Sequence, residues 1–359
     1  MAGLTALALV AGPVAVPGHA DAADDAPPGA VGDADSAAVA VLEGVIEASG
    51  SAAYEGRVVV ATFSERGPAV NEMGIVQGPD GELRVTRGES WELGRVAGEA
   101  YLRSSPDTLL RLSGVERTPF ELDRLLRKYG PELTGAVELD TGPATVVRLT
   151  DRKERVRRER LYVDEATGLV VRRETFDRDG APVRVMAFTR LEAQETEVVR
   201  PDDDDLEVER RALSPADTED LRDEGFLLPG ELPAGFVRVE VHEVEDAGVP
   251  TLHLVYTDGL YALSLYQQQG RLAASAVDGA VRLTTDDGGH VWRWPGSEPR
   301  RVVWTGDRLT FTALTDAPTD ELLTVASGLP TSRSPSTLDR LGRGLSRMGE
   351  WLTRANRSD

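Results

Sequence analysis

Short β-branched runs joined by hairpin-length turns constrain this chain more than any other feature. Three of them follow one another at Arg157–Asp164, Leu169–Asp177 and Pro182–Leu191. The connections are Glu165-Ala166-Thr167-Gly168 and Asp177-Arg178-Asp179-Gly180, each ending in the residue best suited to a tight turn. A parallel return needs a crossover of about a dozen residues or more, so strands joined this closely must be antiparallel. Upstream, Tyr54–Phe63, Asn71–Gln77, Glu82–Arg87 and Val96–Arg103 read as a meander, with Pro79-Asp80-Gly81 as one of its turns. Ala136–Asp140 and Ala144–Thr150 add two more strands. A second series follows at Val237–Val244, Thr251–Tyr256, Ala262–Gln268, Ala276–Thr284, His290–Trp294, Arg301–Thr305 and Arg308–Leu314. The fold class this implies is α+β, mostly antiparallel β.

Helical signals are few and local. Val39, Leu42, Val45 and Ile46 share one face of a first helix capped by Asp35 or Ser36. Thr118-Pro119-Phe120-Glu121 is a capping box with proline at the first helical position. Its apolar stripe is Leu122, Leu125, Leu126 and Tyr129, and Gly130-Pro131 stop it. A short helix is signalled by Ser214-Pro215 with Gly225 at its end, and a further one is expected over Pro318–Ser327, before Gly328.

The length of 359 residues suits two domains with tails. Residues 1–20 have the apolar run and small-residue ending of a signal segment, although no Lys or Arg precedes Arg57. Residues 21–35 read as a disordered spacer, 36–200 as a first domain, 201–229 as an acidic linker, 230–329 as a second, smaller β-rich domain, and 330–359 as a tail. Within the linker stretch, Asp202–Glu224 holds eleven acids against three arginines, without the alternating spacing of a calcium loop. The tail carries an amphipathic stripe of Leu338, Leu341, Leu345, Met348 and Leu352 and has the opposite charge sign to the rest. Two readings stand for it: a peripheral contact with an anionic membrane surface, or docking on its own acidic chain.

A net charge of −21 argues against nucleic acid as a partner, since a phosphate backbone needs clustered cations. Cysteine is absent, which removes disulfides, thiolate ligands and thiol nucleophiles. No Gly-x-Ser-x-Gly elbow, phosphate loop or zinc helix is present, so no catalytic, cofactor or metal residue is assigned. His242 and His253 fall in strands and read as structural histidines. Lysine occurs only at 128 and 153. Arg152–Arg160 is the one positive patch, with six basic and two acidic residues. It reads either as a contact for an acidic partner, through Arg155, Arg157 and Arg158, or as an arm whose arginines pair with neighbouring acids. In the first long strand both faces are apolar, with Val58 and Val60 on one and Val59, Ala61 and Phe63 on the other.

Two stretches resemble the RseB/MucB family of sigma-E regulatory proteins. The first is Arg160-Leu161-Tyr162-Val163-Asp164, Thr167-Gly168-Leu169, Arg172-Arg173-Glu174 and Phe176-Asp177 with Asp179-Gly180, followed by Phe188-Thr189. The second is Leu232-Pro233-Ala234-Gly235-Phe236, His253-Leu254-Val255-Tyr256, Asp258-Gly259-Leu260 and Leu263-Ser264-Leu265-Tyr266. The resemblance covers roughly residues 36–329 and implies a LolA-like half-barrel sheet over helices, followed by the smaller domain. It implies a non-enzymatic extracytoplasmic regulator that binds the extracytoplasmic segment of a membrane anti-sigma factor, shields it from proteolysis and is released by lipid or lipoprotein signals. A lipid or lipoprotein carrier built on the same half-barrel is the alternative. On this reading Val58, Val60, Leu122, Leu125 and Leu126 are candidates for a lipid cavity, and Leu254, Tyr256, Asp258, Leu260, Leu263 and Leu265, with the three arginines, for the partner contact. The first strands are short of aromatics and interrupted by polar residues such as Arg57, Glu65 and Arg84, and these strands and the tail depart from the family pattern.

Overall fold

The computed structural model describes residues 35–331 apart from 65–66, 80, 89–90, 97–98, 106–107, 113–121, 195–197, 199–205, 209, 214, 247–248, 286 and 296–299. The signal-like segment, the spacer before Asp35, the capping box at 118–121 and the tail beyond Thr331 lie outside the described residues. The described chain forms two sheets and four helices, and the α+β, mostly antiparallel expectation holds.

The first sheet has twelve strands. Six come before the second helix: β1 (Tyr54–Thr62), β2 (Ala69–Gln77), β3 (Leu83–Arg87), β4 (Trp91–Val96), β5 (Glu99–Ser105) and β6 (Thr108–Leu112). Five follow it: β7 (Tyr129–Leu139), β8 (Gly142–Asp151), β9 (Arg157–Asp164), β10 (Val170–Phe176) and β11 (Pro182–Ala193). β12 (Leu206–Val208) pairs in parallel with β6 at the far edge. The spatial order β12-β6-β5-β4-β3-β2-β1-β11-β10-β9-β8-β7 is two meanders fused where β1 pairs with β11. The chain must therefore return from the β6 edge to the β7 edge, and helix α2 (Leu122–Lys128) lies on that return. With α1 (Ser36–Ser51) it covers one face: Ala38, Leu42 and Leu125 pack with Val147, Leu149 and Leu161.

The second sheet holds β13 (Arg210–Ala212), β14 (Glu231–Leu232), β15 (Phe236–Asp246), β16 (Val249–Thr257), β17 (Ala262–Gln269), β18 (Val281–Thr284), β19 (His290–Arg293), β20 (Arg300–Gly306) and β21 (Leu309–Thr315). Helix α3 (Pro215–Asp223) lies between β13 and β14 in the chain, and α4 (Thr319–Ser327) follows the last strand. The acidic stretch thus contains β12, β13 and α3, and the chain passes from the first sheet to the second between Val208 and Arg210. Trp304 and Phe311, both 0% exposed, stack at 5.1 Å in the centre of this sheet.

Three local expectations are corrected. Tyr129 does not continue the α2 stripe; it opens β7, and the strand runs on through Gly130 and Pro131. Proline is tolerated there because β7 is the sheet's edge. Val96–Arg103 is not one strand, since β4 and β5 divide it, and β6 was not foreseen. Ala276–Thr284 is a strand only from Val281; Ala274–Val277 is a 3₁₀ turn.

Candidate functional site

Register places a polar island on the apolar face of the first sheet. Leu161 of β9 lies opposite Val147 of β8 and Arg173 of β10, so the three share a face. Two residues along, Glu159 lies opposite Leu149 and Thr175. The face that packs on helices thus continues into Glu159, Arg173 and Thr175, all buried. Buried charge must be paired and hydrogen-bonded. Arg173 grips Glu159 through two bonds of 2.9 and 3.0 Å, and Thr175 donates to the same carboxylate at 2.9 Å.

The second sheet supplies what covers this island. Arg173 Nη1 lies 3.6 Å from Asp316, which also accepts the Ala262 N–H at 3.0 Å. Arg158 donates to Asp320 at 2.8 Å and to Glu154 at 2.5 Å, and its Nε lies 3.5 Å from Glu321. Lys128, at the end of α2, donates to Asp258 at 2.6 Å and to Glu321 at 2.9 Å. The Tyr129 hydroxyl donates to Asp258 at 2.6 Å. Asp258 completes its set with the N–H groups of Leu260 and Tyr261, which shape its turn. Gly259 in that turn has φ +96, and a Cβ there would lie 2.3 Å from the Leu125 nitrogen, so the turn sits flush against α2. Around the charges one apolar core is shared by both sheets, including Leu42, Leu125, Val147 and Leu161 with Phe236, Tyr256, Leu263 and Leu322.

The electrostatics follow from this burial. Desolvation pulls the Lys128 ammonium down, but Asp258 and Glu321 together hold it above its usual range. Burial pushes the Glu321 carboxyl up to about 7, against the pull of Lys128 and with Asp258 adding like-charge repulsion. Burial also raises Asp316, opposed by Arg173 and Arg184. The Tyr129 and Tyr261 phenols are raised well above their usual value, first by burial and then by nearby carboxylates, so both stay neutral. Chemically the arrangement holds and orients; it can also take up a proton.

The residues singled out in the sequence fall differently. Val58 and Val60 pack with Met73, Ile75, Val85 and Phe188, whereas Leu122, Leu125 and Leu126 belong to the shared core, so the two sets fall in separate clusters. A cleft of about 490 Å³ does lie over β1–β3, where Glu55, Arg57, Glu72 and Arg84 line it together with Met73, Ile75 and Val76. Leu254, Tyr256, Leu263 and Leu265 are at most 1% exposed and form core; Leu260 is half-buried against it. Asp258 and Arg158 meet partners within the chain. Arg157 lies over the Phe176 ring at 3.9 Å, and Arg155 is exposed, at φ 63. Of the two readings of the arginine patch, pairing with neighbouring acids describes Arg158. His253 stacks on Tyr266 at 4.2 Å and lies opposite His242, which pairs with Glu240 at 2.8 Å. Among the described residues no group of three or more side chains could hold a metal ion, and no helix is long and apolar enough to cross a membrane. The sequence reading missed Lys128, Glu159, Arg173, Asp316, Asp320 and Glu321; the rarity of lysine was the one signal pointing to Lys128.

A polar contact sealed between two consecutive antiparallel sheets defines a two-part scaffold, and solved structures of that form exist. The fold is similar to that of MucB, with TM-score 0.53 and 18% identity over 84% of this chain and 100% of that one. It is likewise similar to the Pseudomonas aeruginosa MucA/MucB complex and to MucB with MucA(peri), each at TM-score 0.50 and 18% identity, over 82% of this chain and 99% of that chain. No family model matches the sequence, and no curated protein matches it. At this identity the likeness is one of fold.

Proposed function

We propose that this protein is a non-catalytic extracytoplasmic regulator that holds the extracytoplasmic segment of a membrane anti-sigma factor and shields it from proteolysis. The observation that carries this reading is the reach of the MucB likeness. A match over 84% of the chain and the whole of MucB cannot be confined to one sheet, and MucB has been solved with MucA(peri). The sequence resemblance, drawn from residues of both halves, supports the same assignment. The composition agrees: cysteine, and with it a thiol nucleophile, is absent, and the charge of −21 disfavours nucleic acid.

Physically, such a regulator needs a surface that stays in place while a peptide is held. The shared core and the charged contact give the two sheets that rigidity, which limits the ordering cost of binding. The carrier alternative has less support, because Val58 and Val60 are buried among Met73, Ile75, Val85 and Phe188 and do not line the cleft over β1–β3. Titration calorimetry should show one-to-one binding of the extracytoplasmic segment of the anti-sigma factor encoded beside this protein. Bound segment should also be cleaved more slowly by its site-one protease. Absence of binding at about 100 μM, weaker than any regulatory contact would tolerate, would remove the reading.

A further inference from the structure

We propose that the contact between the two sheets is an acid-tightened latch, with Glu321 as the group that takes up a proton when the sheets close on each other. The proposal rests on the geometry of the contact and is independent of which partner the protein holds.

The charges are sorted by side. The cations that reach across, Lys128, Arg158 and Arg173, all come from the first sheet and its helix. The carboxylates they reach, Asp258, Asp316, Asp320 and Glu321, all come from the second. The first half also brings acids of its own: Glu159 occupies Arg173, and Glu154 occupies an arm each of Arg158 and Arg178. Arg178 also lies 4.0 Å from Asp320, and Arg184 faces Asp316. Among the described residues at the centre of the contact, two carboxylates, Asp258 and Glu321, thus share the ammonium of Lys128, while Arg158 near Glu321 also serves Asp320 and Glu154. A surplus buried carboxylate is stable only if it binds a proton.

Hydrogen bonding shows which carboxylate that is. Asp258 accepts four donors: Lys128, the Tyr129 hydroxyl and two backbone N–H groups. Glu159 accepts three. Asp320 keeps one oxygen buried without a hydrogen bond, but its other oxygen accepts from Arg158 at 2.8 Å and lies 4.0 Å from Arg178. Glu321 is 3% exposed, shares its one hydrogen-bonded cation, Lys128, with Asp258, and keeps Oε1 buried without a hydrogen bond. The nearest donor, Arg158 Nε, is itself unpartnered at 3.5 Å. Facing Glu321 are therefore Lys128 of α2, Tyr129 of β7, Arg158 of β9, Asp258 and Tyr261 of the turn after β16, and Asp320 of α4 itself. Two of these carboxylates thus have a buried oxygen free for a proton; Asp320 sits against two guanidinium groups, whereas Glu321 shares its hydrogen-bonded cation with a second buried carboxylate.

The direction of the effect follows by linkage. Separated from the first sheet, Glu321 returns to water and ionises near its ordinary value of 4.5; in the closed contact it holds its proton up to about 7. Closure therefore takes up a proton. Raising the pH from about 5 to about 8 should lower the ratio of closed to open forms on the order of 50-fold. Lys128, raised, stays charged across this range, and Glu154, lowered by Arg158 and Arg178 against its burial, stays ionised, so neither offsets the change. Asp316, raised by burial, acts in the same direction.

Because the chain has no cysteine, a label pair can be introduced without background. Exposed Glu138 in β7 and Arg282 in β18 suit Glu138→Cys and Arg282→Cys in the full-length protein. Distances between the labels, measured by double electron–electron resonance from about pH 5 to about pH 8, should broaden toward longer values at the upper end. Glu321→Gln keeps the size and the bond from Lys128 but cannot ionise, so its distances should stay short throughout. Infrared difference spectra of the parent should show one protonated carboxyl lost over the same range, absent from the variant. That second measurement holds even if the variant folds poorly. Distances unchanged with pH in the parent, or an identical pH profile in Glu321→Gln, would overturn the proposal.

Discussion

Lys128→Met removes the one cation that Asp258 and Glu321 share and keeps the length of a stem lying near the Tyr129 and Phe236 rings. The two carboxylates are 0% and 3% exposed. Removing one partner from a buried pair costs about 3–5 kcal/mol, because the other charge is stranded. Asp258 is spared part of that cost, since Tyr129 and two backbone N–H groups still bind it. Glu321 while ionised keeps only Arg158, 3.5 Å from its Oε1 and already shared with Asp320 and Glu154. Its folded-state pKa is raised, so its ionised form penalises the fold as pH climbs through about 7, and its protonated form does not. The loss should therefore be about 3 kcal/mol at about pH 8 and about half that at about pH 5. Urea unfolding followed by circular dichroism at both pH values measures it. A loss below about 1 kcal/mol at the higher pH, or equal losses at both, would refute the account of the contact.

Gly259→Ala places a methyl 2.3 Å from the Leu125 backbone nitrogen at φ +96, where neither atom can yield. It should cost about 3 kcal/mol or more and split the unfolding curve into two transitions as the sheets lose their fit; a single transition at the parental midpoint would count against it. Asp35 receives the N–H groups of Ala37 and Leu133, tying the start of α1 to β7. Those bonds hold its pKa below the ordinary 3.8, so its contribution is present above that value and lost as pH falls through the lowered one. Asp35→Ala should therefore melt earlier than the parent at neutral pH and converge with it under strongly acid conditions, and a gap that persists at low pH would show a different origin.

The strands were legible where pattern and turn agreed. Arg157–Asp164 matches β9 to the residue, with the next connection carrying its glycine at φ 70 in Gly168, and around Gly180 at φ 80 the flanking strands differ from the reading by one or two residues at three of their four ends. Where the turn signal is slight, the reading blurred: Ala97-Gly98 did not divide the stretch that β4 and β5 share. Tyr129 misled because its spacing from Leu125 and Leu126 suits a helix face, while its ring in fact begins a strand and points into the shared core. Periodicity reports which residues are buried; it does not report which element buries them.

The contact was illegible for a different reason. Lys128 meets Asp258 and Glu321 across 130 and 193 residues of sequence, and Arg158 meets Asp320 across 162. In a chain of net charge −21 every acid resembles solvated surface, and nothing local marks the few that are buried. The acidic stretch between the domains suggested parts free to reorient. Instead β12 joins one sheet and β13 the other with one residue between them, and an apolar core runs through both. A partner that needed the sheets apart would have to offset that core as well as the ion pairs. The charges alone could be tuned by a proton, and the core could not. Apolar packing therefore sets how far the scaffold resists opening, and the surplus carboxylate sets how that resistance varies with pH.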